Sequence, residues 1–216
     1  MIDEIKEASA KAKKLVRYIP KRNGRKWVTD VTNTERNGGL YDQEEFRKAV
    51  EMMEAAAHYF RNPRLFHICF TGADLRIYKL VMKRLGRGLE AEGVDYCYKA
   101  ALEVDSKKGE HFHVMLVLGT HEQTYRFITH KDETYKIENE SLLRKVVRHT
   151  WRDCADLAYS VNRPISQDGL PFIQFNQSNM ELFNEAVNWV SYIYKANTKP
   201  EGRRVFFSSH MPKPRQ

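Results

Sequence analysis

Cysteine is scarce in this chain, and long apolar runs and glycine-rich loops are missing. The three cysteines, Cys69, Cys97 and Cys154, have neither zinc-type spacing nor an even count, which argues against a disulfide framework or a cysteine metal site and suits a reducing compartment. No apolar stretch approaches the ~20 residues that cross a bilayer. The N-terminus, MIDEIKEASAKAKK, is charged where a signal peptide would be apolar, so a cytoplasmic protein with no membrane partner is expected. With no glycine-rich phosphate loop, internal repeat or low-complexity tract, nucleotide-driven motors and solenoids are set aside.

Basic residues and aromatics are plentiful. The 36 Lys+Arg outnumber 28 Asp+Glu, for a net charge of +8, and 12% of the 216 residues are aromatic. That balance suits a polyanionic partner. The length supports one good core with an appendage, and two regions are expected. Residues 1–60 read as a basic helical extension, with a helix over Ile2 to Tyr18, a loop at Pro20 to Lys26 and a second helix over Asp42 to Phe60. Residues 61–216 read as the compact domain.

In that domain Leu65 to Thr71, Val94 to Val104, His111 to Leu118, Phe172 to Phe175 and Val205 to Ser208 have the character of strands. Asp74 to Leu85, Glu140 to Leu157 (with Leu143, Val146, Val147 and Trp151 as its apolar stripe) and Met180 to Asn197 have helical periodicity. The order β-α-β-β-α-β-α-β predicts an α+β fold: a central antiparallel sheet of about five strands with helices returning to one side.

Two constellations carry chemistry. In Glu110-His111-Phe112-His113-Val114, residues two apart on a strand share a face, so both imidazoles can reach one cation. Alone, His-x-His is more often a solvated strand pair. The preceding strand strengthens it: with Lys107, Lys108 and Gly109 as a hairpin loop, Asp105 opposes His111 and Glu103 opposes His113, so both carboxylates share the histidine face. Two imidazoles and a carboxylate suit Mg²⁺ or Mn²⁺ in a nuclease, or Zn²⁺ in a hydrolase. Glu103 and Asp105 both remain candidates. In Trp189 to Lys199, Tyr194 falls on the packing stripe with Phe183, Val187 and Val190, whereas Tyr192 groups with Asn188, Lys195 and Lys199 on the polar side. A phenol with a pKa near 10 attacks phosphate only when a cation polarises the target and a lysine such as Lys195 stabilises developing charge.

Together these segments resemble the replication initiators of the His-hydrophobe-His (HUH) endonuclease superfamily, with an apolar strand ending in Thr (FHICFTG, Phe66 to Gly72), the EHFHVMLVL strand and the SYIYK helix in family order. Within it the likeness is to inovirus gene-2-type and YagK/YfjJ-type prophage replication proteins, over roughly residues 60–210. The resemblance implies an RRM-like Rep nuclease fold in a bacterial host cell. It also implies a Mg²⁺ or Mn²⁺ ion held by Glu103, His111 and His113, with Asp105 as an extra acid.

Tyr192 would then be the nucleophile, Lys195 its assistant, and single-stranded or hairpin origin DNA the substrate. Host helicase and polymerase would be partners, since no helicase fits this length. Thr71 would border the site, and Arg148, Arg152, Lys199, Arg203 and Arg204 would contact DNA. A relaxase or transposase of the same superfamily, a non-catalytic DNA-binding regulator and a zinc hydrolase are the alternatives.

Overall fold

A computed structural model describes residues 42–119, 141–162, 171–194, 199–200 and 202–212. The helix and loop expected within residues 1–41 lie outside that range. In chain order the elements are α1 (Gln43–Tyr59), β1 (Arg64–Thr71), α2 (Leu75–Ala91), β2 (Tyr96–Asp105), β3 (Gly109–Leu118), α3 (Leu142–Thr150), β4 (Ala158–Asn162), β5 (Ile173–Gln174), α4 (Met180–Ser191), a 3-10 turn (Tyr192–Tyr194) and β6 (Phe206–Ser208). Each helix starts at a polar cap that satisfies an otherwise orphaned N–H. Asp42, Asp74, Ser141 and Asn179 accept from the backbone N–H of Glu45, Ile77, Arg144 and Leu182 respectively.

The strands form one six-stranded antiparallel sheet in the order β4-β1-β3-β2-β6, with β5 pairing β1 beyond the end of β4. The α+β class and antiparallel sheet agree with expectation. Strand β4 does not appear in the sequence reading, because a five-residue edge strand with half-exposed residues has little apolar alternation.

Helices cover both faces of the sheet and are not confined to one. The central strands β1 and β3 are buried on both sides, so each face needs its own cover. On one face Phe66, Ile68, Phe70, Phe112, Val114 and Leu116 pack under α2 and α3. On the other, Leu65, Cys97, Ala101, Met115 and Val117 pack under α1 and α4. Helix α1, expected within the extension, is therefore part of this second core: Phe46, Val50 and Met53 are buried there, and the Asp42 N–H donates to the Tyr194 carbonyl at 3.0 Å. Trp151 departs from its expected place in an apolar stripe. Helix α3 stops at Thr150, whose hydroxyl donates to the Val146 carbonyl, and the indole beyond it is 57% exposed.

Gly72 makes the turn that leaves β1 beside the site, at φ +69°, and a Cβ there would lie 2.0 Å from the Asp156 carbonyl oxygen. Left-handed backbone and a collision with main chain add. Gly72→Ala is expected to cost about 2 to 4 kcal/mol in urea unfolding; a loss under about 0.5 kcal/mol would show that this turn yields freely.

Candidate metal centre

Alternation decides which side chains share the site. Thr71, Cys69 and His67 of β1, His111 and His113 of β3, and Glu103 and Ala101 of β2 all fall on the α1–α4 face. The hairpin closes with Asp105 opposite Gly109, so Glu103 faces His111 and Ala101 faces His113. The register is two residues away from the expected one. Asp105 Oδ1 accepts the backbone N–H groups of Lys107 and Lys108 at 2.8 and 2.6 Å, which caps the turn early and leaves Gly109 at φ +64° as the first residue of β3. An even shift keeps the face, so both carboxylates still join the histidines.

Glu103, His111 and His113 are buried, and one ligand atom from each lies within 4.8 Å of the others. Glu103 Oε2 is 3.6 Å from His113 Nε2 and 3.9 Å from His111 Nε2. Ligands around a cation at about 2.1 Å stand roughly 3.0–3.4 Å apart, so Glu103 is within a few tenths of an ångström of that spacing from each imidazole, and the set as a whole closes on a cation by side-chain shifts on the order of an ångström. The donor set, two imidazoles and a carboxylate, is a metal-ligand set. Asp105 stands at its edge, with Oδ2 3.7 Å from His111 Nε2; hydrogen bonds from the turn, the Lys108 N–H foremost, hold its carboxyl below the usual range.

Both histidines are oriented from behind. His111 Nδ1 lies 3.0 Å from the Gly109 carbonyl, which can only accept, so Nδ1 carries a proton and Nε2, on the Glu103 side, is the nitrogen available to a cation. Nδ1 of His113 lies 2.8 Å from Nε2 of His67, which is buried and whose ring also has the Asn162 side-chain amide 3.2 Å from its Nδ1. His67 is absent from the sequence reading. It sits inside the apolar strand FHICFT, and its signal, the odd-numbered face of β1, becomes visible only once β1 is known to pair with β3.

For His113 Nε2 to receive a cation, its proton must reside on Nδ1, with His67 as acceptor. His67→Leu is expected to weaken Mn²⁺ binding about 10- to 100-fold by calorimetry, and His67→Gln, which retains an acceptor, should lose much less. Equal affinities for the two variants would make His67 a packing residue only.

Tyr192 is half-buried and its ring centroid lies 5.2 Å from that of His113 and 5.3 Å from that of His67. The α-helical wheel puts this residue on the solvent side. In the structure the phenol meets the sheet instead, at the point where α4 passes into the 3-10 turn. Burial, followed by the negative charges of Glu103, Cys69 and Asp105, pushes its pKa above 10. Tyr194 is core, as expected, buried against Phe46 and Phe206.

No family model, curated protein or solved structure matches the chain.

The remaining expected residues separate into two groups. Thr71 pairs with His111 and borders the centre. Lys199, expected on phosphate, donates instead to Glu103 Oε1 at 2.6 Å. Arg203 pairs with Glu110 at 2.7 Å, and Arg204 lies over the Phe207 ring. Arg148 and Arg152 belong to α3 and the residues just after it, in the layer on the other face of the sheet. Lys195 lies outside the described residues. Among the described residues no helix is long and apolar enough to cross a membrane.

Proposed function

We propose that the chain is a divalent-metal-dependent DNA nickase of the His-hydrophobe-His type, which initiates rolling-circle replication by cutting single-stranded or hairpin origin DNA with Tyr192. The observation that carries this reading is the contact of the Tyr192 ring with His113, one of the candidate ligands. A nucleophile and a metal-ligand set come together from elements far apart in the chain, and the charge of +8 suits a nucleic-acid substrate.

A bound Mg²⁺ or Mn²⁺ would polarise the scissile phosphate and neutralise charge developing on it. Glu103, His111 and His113 would hold the cation. The Tyr192 oxygen forms a bond to phosphorus as the bond from phosphorus to the 3′ oxygen breaks. The phenol loses its proton to solvent, and the departing 3′ oxygen gains one, leaving a 5′-phosphotyrosine and a free 3′-OH for a host polymerase. The raised pKa of Tyr192 makes the phenolate scarce until positive charge is nearby, which ties the nucleophile to the presence of the cation. Lys195 is proposed to steady the phosphate. As the covalent link preserves the bond energy, the same residue can rejoin ends without ATP.

The test is incubation with Mn²⁺ and labelled single-stranded DNA, read as a protein–DNA adduct on a denaturing gel. No adduct on any strand, with DNA still bound, would replace this reading with that of a binding module.

A further inference from the structure

Charge is divided unevenly between the two helical layers. Helix α2 carries Arg76, Lys79, Lys83, Arg84 and Arg87 against the single acid Glu90, and α3 carries Arg144, Lys145 and Arg148 with no acid. On the metal-site face, α1 sets Arg47 and Lys48 against Glu44, Glu45, Glu51 and Glu54, and α4 has Glu181 and Glu185 with no cation. The α2–α3 layer thus holds a net +7 and the α1–α4 layer a net −4, in a chain whose total is +8. Among the described helices, positive charge is concentrated on the side of the sheet away from the candidate metal centre.

The arrangement within that layer narrows the ligand. Arg76, Lys79, Lys83 and Arg87 are exposed and recur at helical spacing, forming a stripe roughly 16 Å long. Arg84 is committed elsewhere: it donates to the Thr150 hydroxyl at 2.9 Å and pairs with Asp153 at 3.1 Å, tying α2 to α3. Beside that tie a cleft of about 470 Å³ is walled by Leu142, Val146, Lys145 and Arg152, with Asp153 also on its lining. Trp151, immediately before Arg152, is the most exposed large hydrophobic side chain among the described residues. An exposed indole next in sequence to a cation of the cleft wall, on a layer rich in lysine and arginine, is the pairing that single strands use, with bases stacking on the ring and phosphates on the charges. A rigid duplex has no free base face to cover the indole.

We infer that the outer face of the α2–α3 layer is a binding surface for single-stranded nucleic acid, separate from the metal centre. Lys83, Lys145 and Arg152 hold its phosphates, and Trp151 stacks on one of its bases. Strand binding here requires neither the cation nor Tyr192.

The experiment is fluorescence anisotropy of a labelled 20-nucleotide oligothymidylate titrated with the full chain in EDTA over a series of salt concentrations, so that nicking and its failure do not enter. The variant Lys83→Glu/Lys145→Glu/Arg152→Glu should bind at least tenfold more weakly. Its log–log salt slope should be shallower by about 2, from three lost contacts at roughly 0.7 each. Trp151→Ala should lose about tenfold with the slope unchanged. A control that makes the same charge change on the other layer and its following loop, Arg47→Glu/Lys48→Glu/Arg61→Glu, should stay within about threefold.

Equal losses in the two triple variants would reduce the effect to net charge and overturn the surface. An unaffected Trp151→Ala, a duplex or polyglutamate bound as tightly as the oligonucleotide, or no binding by the wild type would overturn it as well. If the triple variant fails to fold by circular dichroism, Trp151→Ala and the comparison of the wild type on the three polyanions still decide.

Discussion

A Tyr192→Phe protein is expected to lose covalent adduct formation by a factor on the order of 10⁴ or more, while binding Mn²⁺ with affinity close to that of the wild type. The substitution removes one oxygen and preserves the ring that rests against His67 and His113, so packing and ligand geometry should survive. Tyr194→Phe is the matched control. That hydroxyl belongs to a core residue stacked on Phe206 and tilted against Phe46, and its loss should leave the adduct in place. The expected gel therefore shows a shifted band for wild type and Tyr194→Phe, and none for Tyr192→Phe or His113→Ala. An adduct that persists in Tyr192→Phe and disappears in Tyr194→Phe would reverse the assignment.

Glu103→Ala is expected to remove metal binding and to destabilise the fold at the same time. The two carboxylate oxygens do different things: Oε2 faces the histidines and Oε1 takes the Lys199 ammonium at 2.6 Å, with both side chains nearly buried. Removing the carboxylate takes the Glu103 counter-charge away from an ammonium in a low-dielectric place, a loss of about 3 kcal/mol. This is the low end for a broken buried pair, because Lys199 sits outside regular secondary structure and can turn toward water. The double variant Glu103→Ala/Lys199→Met separates the two effects. It should recover most of the stability and none of the metal binding.

Added Mn²⁺ at a hundred times its Kd should raise wild-type stability by about 2.7 kcal/mol through mass action and should leave both variants unchanged. A Glu103→Ala protein that is still stabilised by Mn²⁺ would place the cation elsewhere.

The strand carrying His111 and His113 was legible because period-two alternation is a local property: where Phe112 and Val114 are buried on one face, the residues between them must point to the other. The same logic brought Glu103 and Asp105 to the histidine face, and it survived a register error because the error was even. His67 escaped that logic. Its strand is buried on both faces, so nothing in the run FHICFT distinguishes a histidine aimed at a candidate metal ligand from one merely accommodated in the core. The phenol of Tyr192 escaped in another way, since a wheel drawn for one helix does not show that its end lies over His67 and His113.

By itself the sequence determined the α+β class, the hairpin that pairs β2 with β3, the shared face of Glu103, Asp105, His111 and His113, and the place of Tyr194 in the core. All of these follow from short-range periodicity or from partners joined by a tight turn. The tertiary structure alone decided that helices cover both faces and that α1 completes the core. It also brought His67 behind His113, Lys199 onto Glu103 and Arg148 and Arg152 to the layer away from the candidate metal centre. Those contacts join residues tens of positions apart, and the pattern along the chain records which face a side chain takes but not which distant segment comes to cover it.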